Sequence, residues 1–152
     1  WLAPYTDNTT IRVGFMMSVA MGSVMRYYRV FPREDIKQMM IRQVDDLIEN
    51  SMTDCGLFYY KEVPSIQRLG NNTLLLEALA IAYELTGDVQ YLRAGIKTFG
   101  TVLQVKAASI NGRKRIEEDA VICAGESTKT FAQSFIPLIT YYKAISENDI
   151  TY

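Results

Sequence analysis

Two carboxylates, Asp54 and Glu62, stand in one stretch whose other residues could also do chemistry. It reads Thr53-Asp54-Cys55-Gly56-Leu57-Phe58-Tyr59-Tyr60-Lys61-Glu62, followed by Arg68, Asn71 and Asn72. A carboxylate pair is the usual equipment for general acid/base cleavage of a glycosidic bond. Tyr59 and Tyr60 offer aromatic faces that stack on sugar rings, and the guanidinium and amide groups of Arg68, Asn71 and Asn72 suit hydroxyl groups. The simpler reading makes Phe58-Tyr59-Tyr60 a short strand or plug, with Leu57 over the helix ends. Asp54 is then a turn residue, and Asn71 or Asn72 a helix N-cap. A second stretch holds Arg113-Lys114-Arg115-Ile116-Glu117-Glu118-Asp119 and then Glu126. Its charge run reads as a solvated tip with internal ion pairs, whereas Glu126, at the start of a helix, is a candidate substrate-binding residue.

The elements that would position these groups are helical. Val13, Met16, Met17, Ala20, Met21, Val24, Met25 and Tyr28 keep helical spacing and predict a helix over about 10–30. Phe31-Pro32 breaks it, and Pro32 suits the first turn of a second helix ending near Asn50. A third helix, about 72–86, is apolar nearly all round and is expected to be buried on all sides, with Gly87 as its left-handed cap. A one-sided fourth helix covers about 88–106. The fifth, about 128–146, is expected to kink at Pro137. Tyr28, Tyr83 and Tyr142 read as packing residues, and the methionines from Met16 to Met40 as core filler.

Composition limits the rest. The 152 residues, 49% of them hydrophobic, suit one domain spanning 1–152. Sixteen basic residues against 17 acidic ones give no field that would recruit nucleic acid or an anionic membrane. The uncharged stretch from Val13 to Met25, which no other exceeds in length, is too short for the ~20 residues a membrane-spanning helix needs. The chain contains no histidine, which removes the commonest general base and zinc ligand. Cys55 and Cys123 have no metal-binding spacing and read as two thiols, with a disulfide between them the alternative. No cofactor or metal is expected.

The chain also repeats. Residues 15–48 slide onto 70–103 without a gap at an offset of 55, so that Tyr28 meets Tyr83, Ile41 meets Ile96 and Val44 meets Phe99. A third copy follows at an offset of 59, where Leu138 answers Leu79 and Tyr142 answers Tyr83. Fixed-period self-similarity marks stacked supersecondary units. The expected fold is therefore all-α: a hairpin over 10–50, a second over 71–106 and a half hairpin over 128–152. Short turns lie at one end. The long loops, about 51–70 and 107–127, lie at the other with the N-termini of the odd-numbered helices.

The run Asn72-Thr73-Leu74-Leu75-Leu76-Glu77-Ala78-Leu79-Ala80-Ile81-Ala82-Tyr83-Glu84-Leu85-Thr86-Gly87-Asp88, then Tyr91-Leu92, resembles the hairpin of (α/α) toroid proteins. These are the six-hairpin glycosidases and related polysaccharide lyases and sugar epimerases. The resemblance implies a ring of five to seven hairpins with a sugar-binding cleft at the long-loop end. With two and a half hairpins here, the rest of a parent chain or a second subunit would complete the ring. The partner it implies is an oligosaccharide or polysaccharide. Several toroid epimerases and lyases use histidine in the site, and this chain has none, so the resemblance points first to a glycoside hydrolase with carboxylate catalysis. A non-catalytic repeat module is the alternative. A lyase with Tyr59 or Tyr60 as base, and Arg68 neutralising a uronate, is the third reading.

Overall fold

The computed structural model describes residues 2–6, 9–54, 56–59, 72–104 and 128–151. Five helices account for most of them: α1 (Gly14–Val30), α2 (Glu34–Ser51), α3 (Asn72–Thr86), α4 (Gln90–Gln104) and α5 (Thr128–Glu147). The all-helical expectation holds for the body of the chain. The exception precedes α1, where β1 (Leu2–Thr6) pairs antiparallel with β2 (Thr9–Arg12). The first helix thus starts at Gly14, not near residue 10. Thr9, Thr10 and Ile11 are β-branched, a type that suits a pleated strand better than a helix. Arg12 ties this hairpin to the body through a two-pronged pair with Asp46 of α2, at 2.5 and 2.8 Å. That guanidinium also holds the Asp46 carboxyl below its ordinary range.

The body has two layers. α3 packs against α1 on one side and α5 on the other, making an inner layer of three helices. α2 and α4 lie behind, α2 against α1 and α3, and α4 against α3 and α5. The core between the layers is built from Met21, Met25, Met40, Val44, Leu47, Leu75, Leu76, Leu79, Leu92, Phe99 and Ile145. Because 3.6 residues make a turn, α2 and α4 need only one apolar stripe each to close this sandwich. α3, enclosed by four helices, needs apolar residues almost all round. Its polar exceptions are informative: Glu77 is half-buried and Glu84 exposed. They are seven residues apart and so share one line along the helix.

Of the two turns at the short end, the first differs from expectation: α2 begins at Glu34 with Arg33 as its N-cap, so Pro32 precedes the helix and is not in its first turn. The second forms as the sequence predicts. Gly87 adopts φ 74° beyond α3, and its N–H bonds the Tyr83 carbonyl at 2.7 Å. The Asp88 carboxylate accepts the Gln90 N–H at 2.9 Å at the entrance of α4, so that helix begins two residues later than expected. α5 runs through Pro137 without ending.

The first joint of the inner layer follows the repeat. Arg29 of α1 pairs with Glu84 of α3 at 2.6 and 3.1 Å, and the two are 55 residues apart, one repeat length. α1 and α3 therefore lie side by side in parallel at the level that the sequence offset prescribes. Nearer the other end, the buried Ser18 hydroxyl donates to the Leu74 carbonyl at 2.6 Å and accepts the Ala78 N–H at 3.2 Å. It sits on one rung of the α3 ladder. Gly22 allows this close approach, since a Cβ there would stand 2.7 Å from the Glu77 carboxylate.

The second joint uses other chemistry. The Tyr83 hydroxyl and the Asn148 side chain exchange hydrogen bonds at 2.8 and 3.1 Å. Tyr141 of α5 is fully buried, its hydroxyl bonded to the Leu92 carbonyl. A Cβ at Gly95 would stand 2.7 Å from its ring. Of the three repeat-related tyrosines, Tyr28 and Tyr83 pack partly buried on the core as expected. Tyr142 is half-exposed, stacked beside Phe99 with ring centroids 6.1 Å apart. Met16 also departs from expectation: it is 40% exposed, while Met17, Met21, Met25 and Met40 are buried.

Candidate functional site

The sequence places the site where α2 ends and α3 begins. After Ser51 the chain folds back in a tight antiparallel turn. The Thr53 N–H and hydroxyl both donate to the Leu57 carbonyl, at 2.7 and 2.9 Å, and the Tyr59 N–H donates to the Ser51 carbonyl at 2.9 Å. Gly56 takes φ 79°, a left-handed conformation that glycine adopts without steric cost. Leu57 and Phe58 are buried beneath the turn and Asp54 is exposed on it.

Asn72 fixes this turn to α3. Its Oδ1 accepts the Phe58 N–H at 2.6 Å, and its Nδ2 donates to the Phe58 carbonyl at 2.8 Å. One buried amide thereby satisfies both backbone groups of a residue that has a strand partner on its other edge only. The Thr98 hydroxyl of α4 lies 3.5 Å from the same Oδ1. The side chain expected to touch substrate or cap the helix is fully buried and clamps the protein's own backbone. The hydroxyls of Ser51 and Thr73, both buried beside this clamp, have no hydrogen-bond partner among the described residues.

Of the other predicted site residues, Tyr59 is half-buried next to Phe58. Tyr60, Glu62, Arg68, Asn71 and Glu126 lie outside the described residues, as do Cys55 and Cys123. The structure thus brings Asp54, Tyr59 and Asn72 to one end of the bundle, with Asp54 and Tyr59 reaching the surface.

Glu77 is a candidate the loop-centred reading passed over. It lies five residues into α3, about 7.5 Å of helix from the loop-bearing end. Burial raises its carboxyl above the ordinary range, and the positive charges of Arg26 and Arg29 oppose that rise only in part. Burial that raises a carboxyl's proton affinity is one of the ways in which a general acid is made. The signal was present in sequence: Glu77 and Glu84 are the two charged residues of α3, and Glu77 is the one polar residue between Thr73 and Tyr83.

Two further tyrosines have raised pKa values for structural reasons. Burial, reinforced by a 2.6 Å hydrogen bond to Asp45, pushes Tyr91 up to about 12. Burial alone raises Tyr141. Neither is near the loop end. Among the described residues, no group of three histidine, cysteine, aspartate or glutamate side chains could hold a metal ion, and no helix is long and apolar enough to cross a membrane. No family model, curated protein or solved structure matches the chain.

Proposed function

We propose that this chain is part of a carbohydrate-active helical array of the (α/α) toroid type, acting as a glycoside hydrolase through carboxylate general acid/base catalysis. The observation that carries the proposal is Glu77: a half-buried carboxyl with raised proton affinity on an inner helix, one and a half turns from the loop-bearing end. In this reading Glu77 protonates the leaving oxygen. The partnering carboxylate comes from the loop through Asp54 or Glu62, and Tyr59 and Tyr60 stack the sugar. The Asn72 clamp supports it indirectly, because it holds the turn bearing Asp54 and Tyr59 against the inner layer. The remaining hairpins of a ring would come from the rest of a parent chain or a second subunit.

The test is incubation with a panel of neutral and uronic-acid oligosaccharides, with products resolved by mass. Hydrolysis adds water, and Glu77→Gln is expected to lower turnover by about a hundredfold or more. Turnover unaffected by Glu77→Gln overturns its role as acid. Products formed without added water would mean elimination, and would turn the reading to the tyrosine-base lyase. One observation favours a non-catalytic binding module instead: Asp54 stands exposed on the tip of its turn. That module would retain oligosaccharides without changing their mass.

A further inference from the structure

The inner layer is asymmetric in a way that its own repeat explains. On α1, the positions Met21, Met25 and Tyr28 belong to the core. Advanced by 55 they become Leu76, Ala80 and Tyr83 of α3, also core positions, on the side where Tyr83 bonds Asn148. Advanced by a further 59, the last two become Ile139 and Tyr142 of α5, and these are 51% and 50% exposed. The opposite side of each inner helix behaves in the complementary way. Leu74, Ala78, Ala82 and Leu85 of α3 are buried, and Leu74 and Ala78 touch Ser18 of α1. Three of their four counterparts on α5, Pro137, Tyr141 and Ala144, are buried as well, while Gln133, the counterpart of Leu74, is exposed. Their counterparts on α1 are Val19, Ser23, Tyr27 and Val30, and all four are exposed, Val19 at 53% and Val30 at 67%.

The chain therefore carries both halves of one more joint of the kind it makes twice internally, one half on each flank. We propose that the exposed face of α5 docks against the exposed face of α1 in a second copy of this chain, head to tail. The same side-by-side relation that sets α1 on α3 and α3 on α5 then sets α5 on the next α1. A second copy is the occupant because the surfaces are already matched in register. α5 presents the face that α1 and α3 use forwards, and α1 presents the face that α3 and α5 use backwards. Burial of Ile139 and Tyr142 against Val19, Tyr27 and Val30 removes exposed apolar area from both partners. The joint is heterologous, so it leads to a closed ring or an open row and never to a symmetric pair using one face. It rests on the helical array in the proposed function and not on the carbohydrate chemistry, so intact association with no glycan turnover, or the reverse, separates the two failures.

Sedimentation of the full chain across a wide concentration range tests the proposal. The mass is expected to rise above that of the monomer with concentration. Val19→Glu and Ile139→Glu, at exposed positions and with the fold checked by circular dichroism, are each expected to weaken association by about tenfold or more by burying a charge in an apolar joint. A one-to-one mixture of the two variants is expected to recover a dimer, because each contributes one unaltered face. Three results overturn the proposal: a monomer at every concentration, loss through only one of the two substitutions, or failure of the mixture to associate.

Discussion

α3 and α5 are copies of one repeat unit, yet one is enclosed and the other is not. Ala80 is 3% exposed and its counterpart Ile139 is 51% exposed. The difference is not in residue character, since α5 places the larger apolar side chain at the open position. It lies in the neighbours: among the described residues, α3 has an inner helix on both sides and α5 on one. Periodicity in a sequence specifies which faces are suited to burial. Whether a face is buried depends on what the rest of the assembly supplies.

That contrast can be broken most sharply in the core. Leu76→Ala is expected to destabilise the fold by about 2–5 kcal/mol through lost burial and a residual cavity. Ile139→Ala, at low protein concentration, is expected to change stability by no more than about 0.5 kcal/mol. Denaturant unfolding of both variants checks the pair, and equal losses would mean that α5 is as enclosed as α3. A similar contrast is available on α4. Gly95→Ala drives a methyl into the Tyr141 ring and is expected to cost about 1–3 kcal/mol. At Gly100 a Cβ meets nothing within 4 Å, so Gly100→Ala is expected to stabilise by up to about 1 kcal/mol through helix propensity.

The clamp at the loop end ranks next. Asn72→Ala leaves the Phe58 N–H and carbonyl unpaired beneath the turn, at an expected cost of about 1–3 kcal/mol. Hydrogen exchange at the Phe58 amide should accelerate, while amides in the middle of α3 should lose only the protection that global destabilisation removes.

This clamp also marks the limit of what the sequence made legible. Helix order, the short turns, Gly87 and the two-layer burial pattern follow from local signals: period, punctuation and capping chemistry. Asn72 was visible as an amide at a helix start, but its partner is the backbone of a residue fourteen positions earlier, and no pattern encodes that. Glu77 was visible as a charge in an apolar helix. Its raised proton affinity depends on how closely α1 approaches at Gly22, which is tertiary information. Met16 and Tyr142 looked like core residues because their spacing is that of core residues. Their exposure reflects what stands beside α1 and α5.

The smaller effects are electrostatic. Glu77 has a raised pKa in the folded state, so the native protein binds more protons than the unfolded chain between the unfolded and folded values. Stability contributed by this group is present below the unfolded pKa and is lost as pH rises through the folded one. Relative to the parent, Glu77→Gln should therefore gain stability on going from acid to neutral pH. A parallel pair of stability–pH curves would remove the assigned burial effect. Asp46 has the opposite sign: its contribution, held by Arg12, is present above the unfolded pKa and fades as pH falls through the lowered one. Arg29→Ala, which breaks an exposed pair, is expected to cost less than about 1 kcal/mol, although the pair spans one repeat length.

The contrast between enclosed and open faces is tested most directly along α1, where one residue type samples both. Mild peroxide oxidation of dilute native protein, read methionine by methionine from peptide masses, measures access to each sulfur. The account predicts rapid conversion of Met16 and slow conversion of Met17, Met21 and Met25, with Met40 of α2 equally protected. Oxidation of Met21 or Met25 at the rate of Met16 would contradict it, because α1 would then have no buried face against α3.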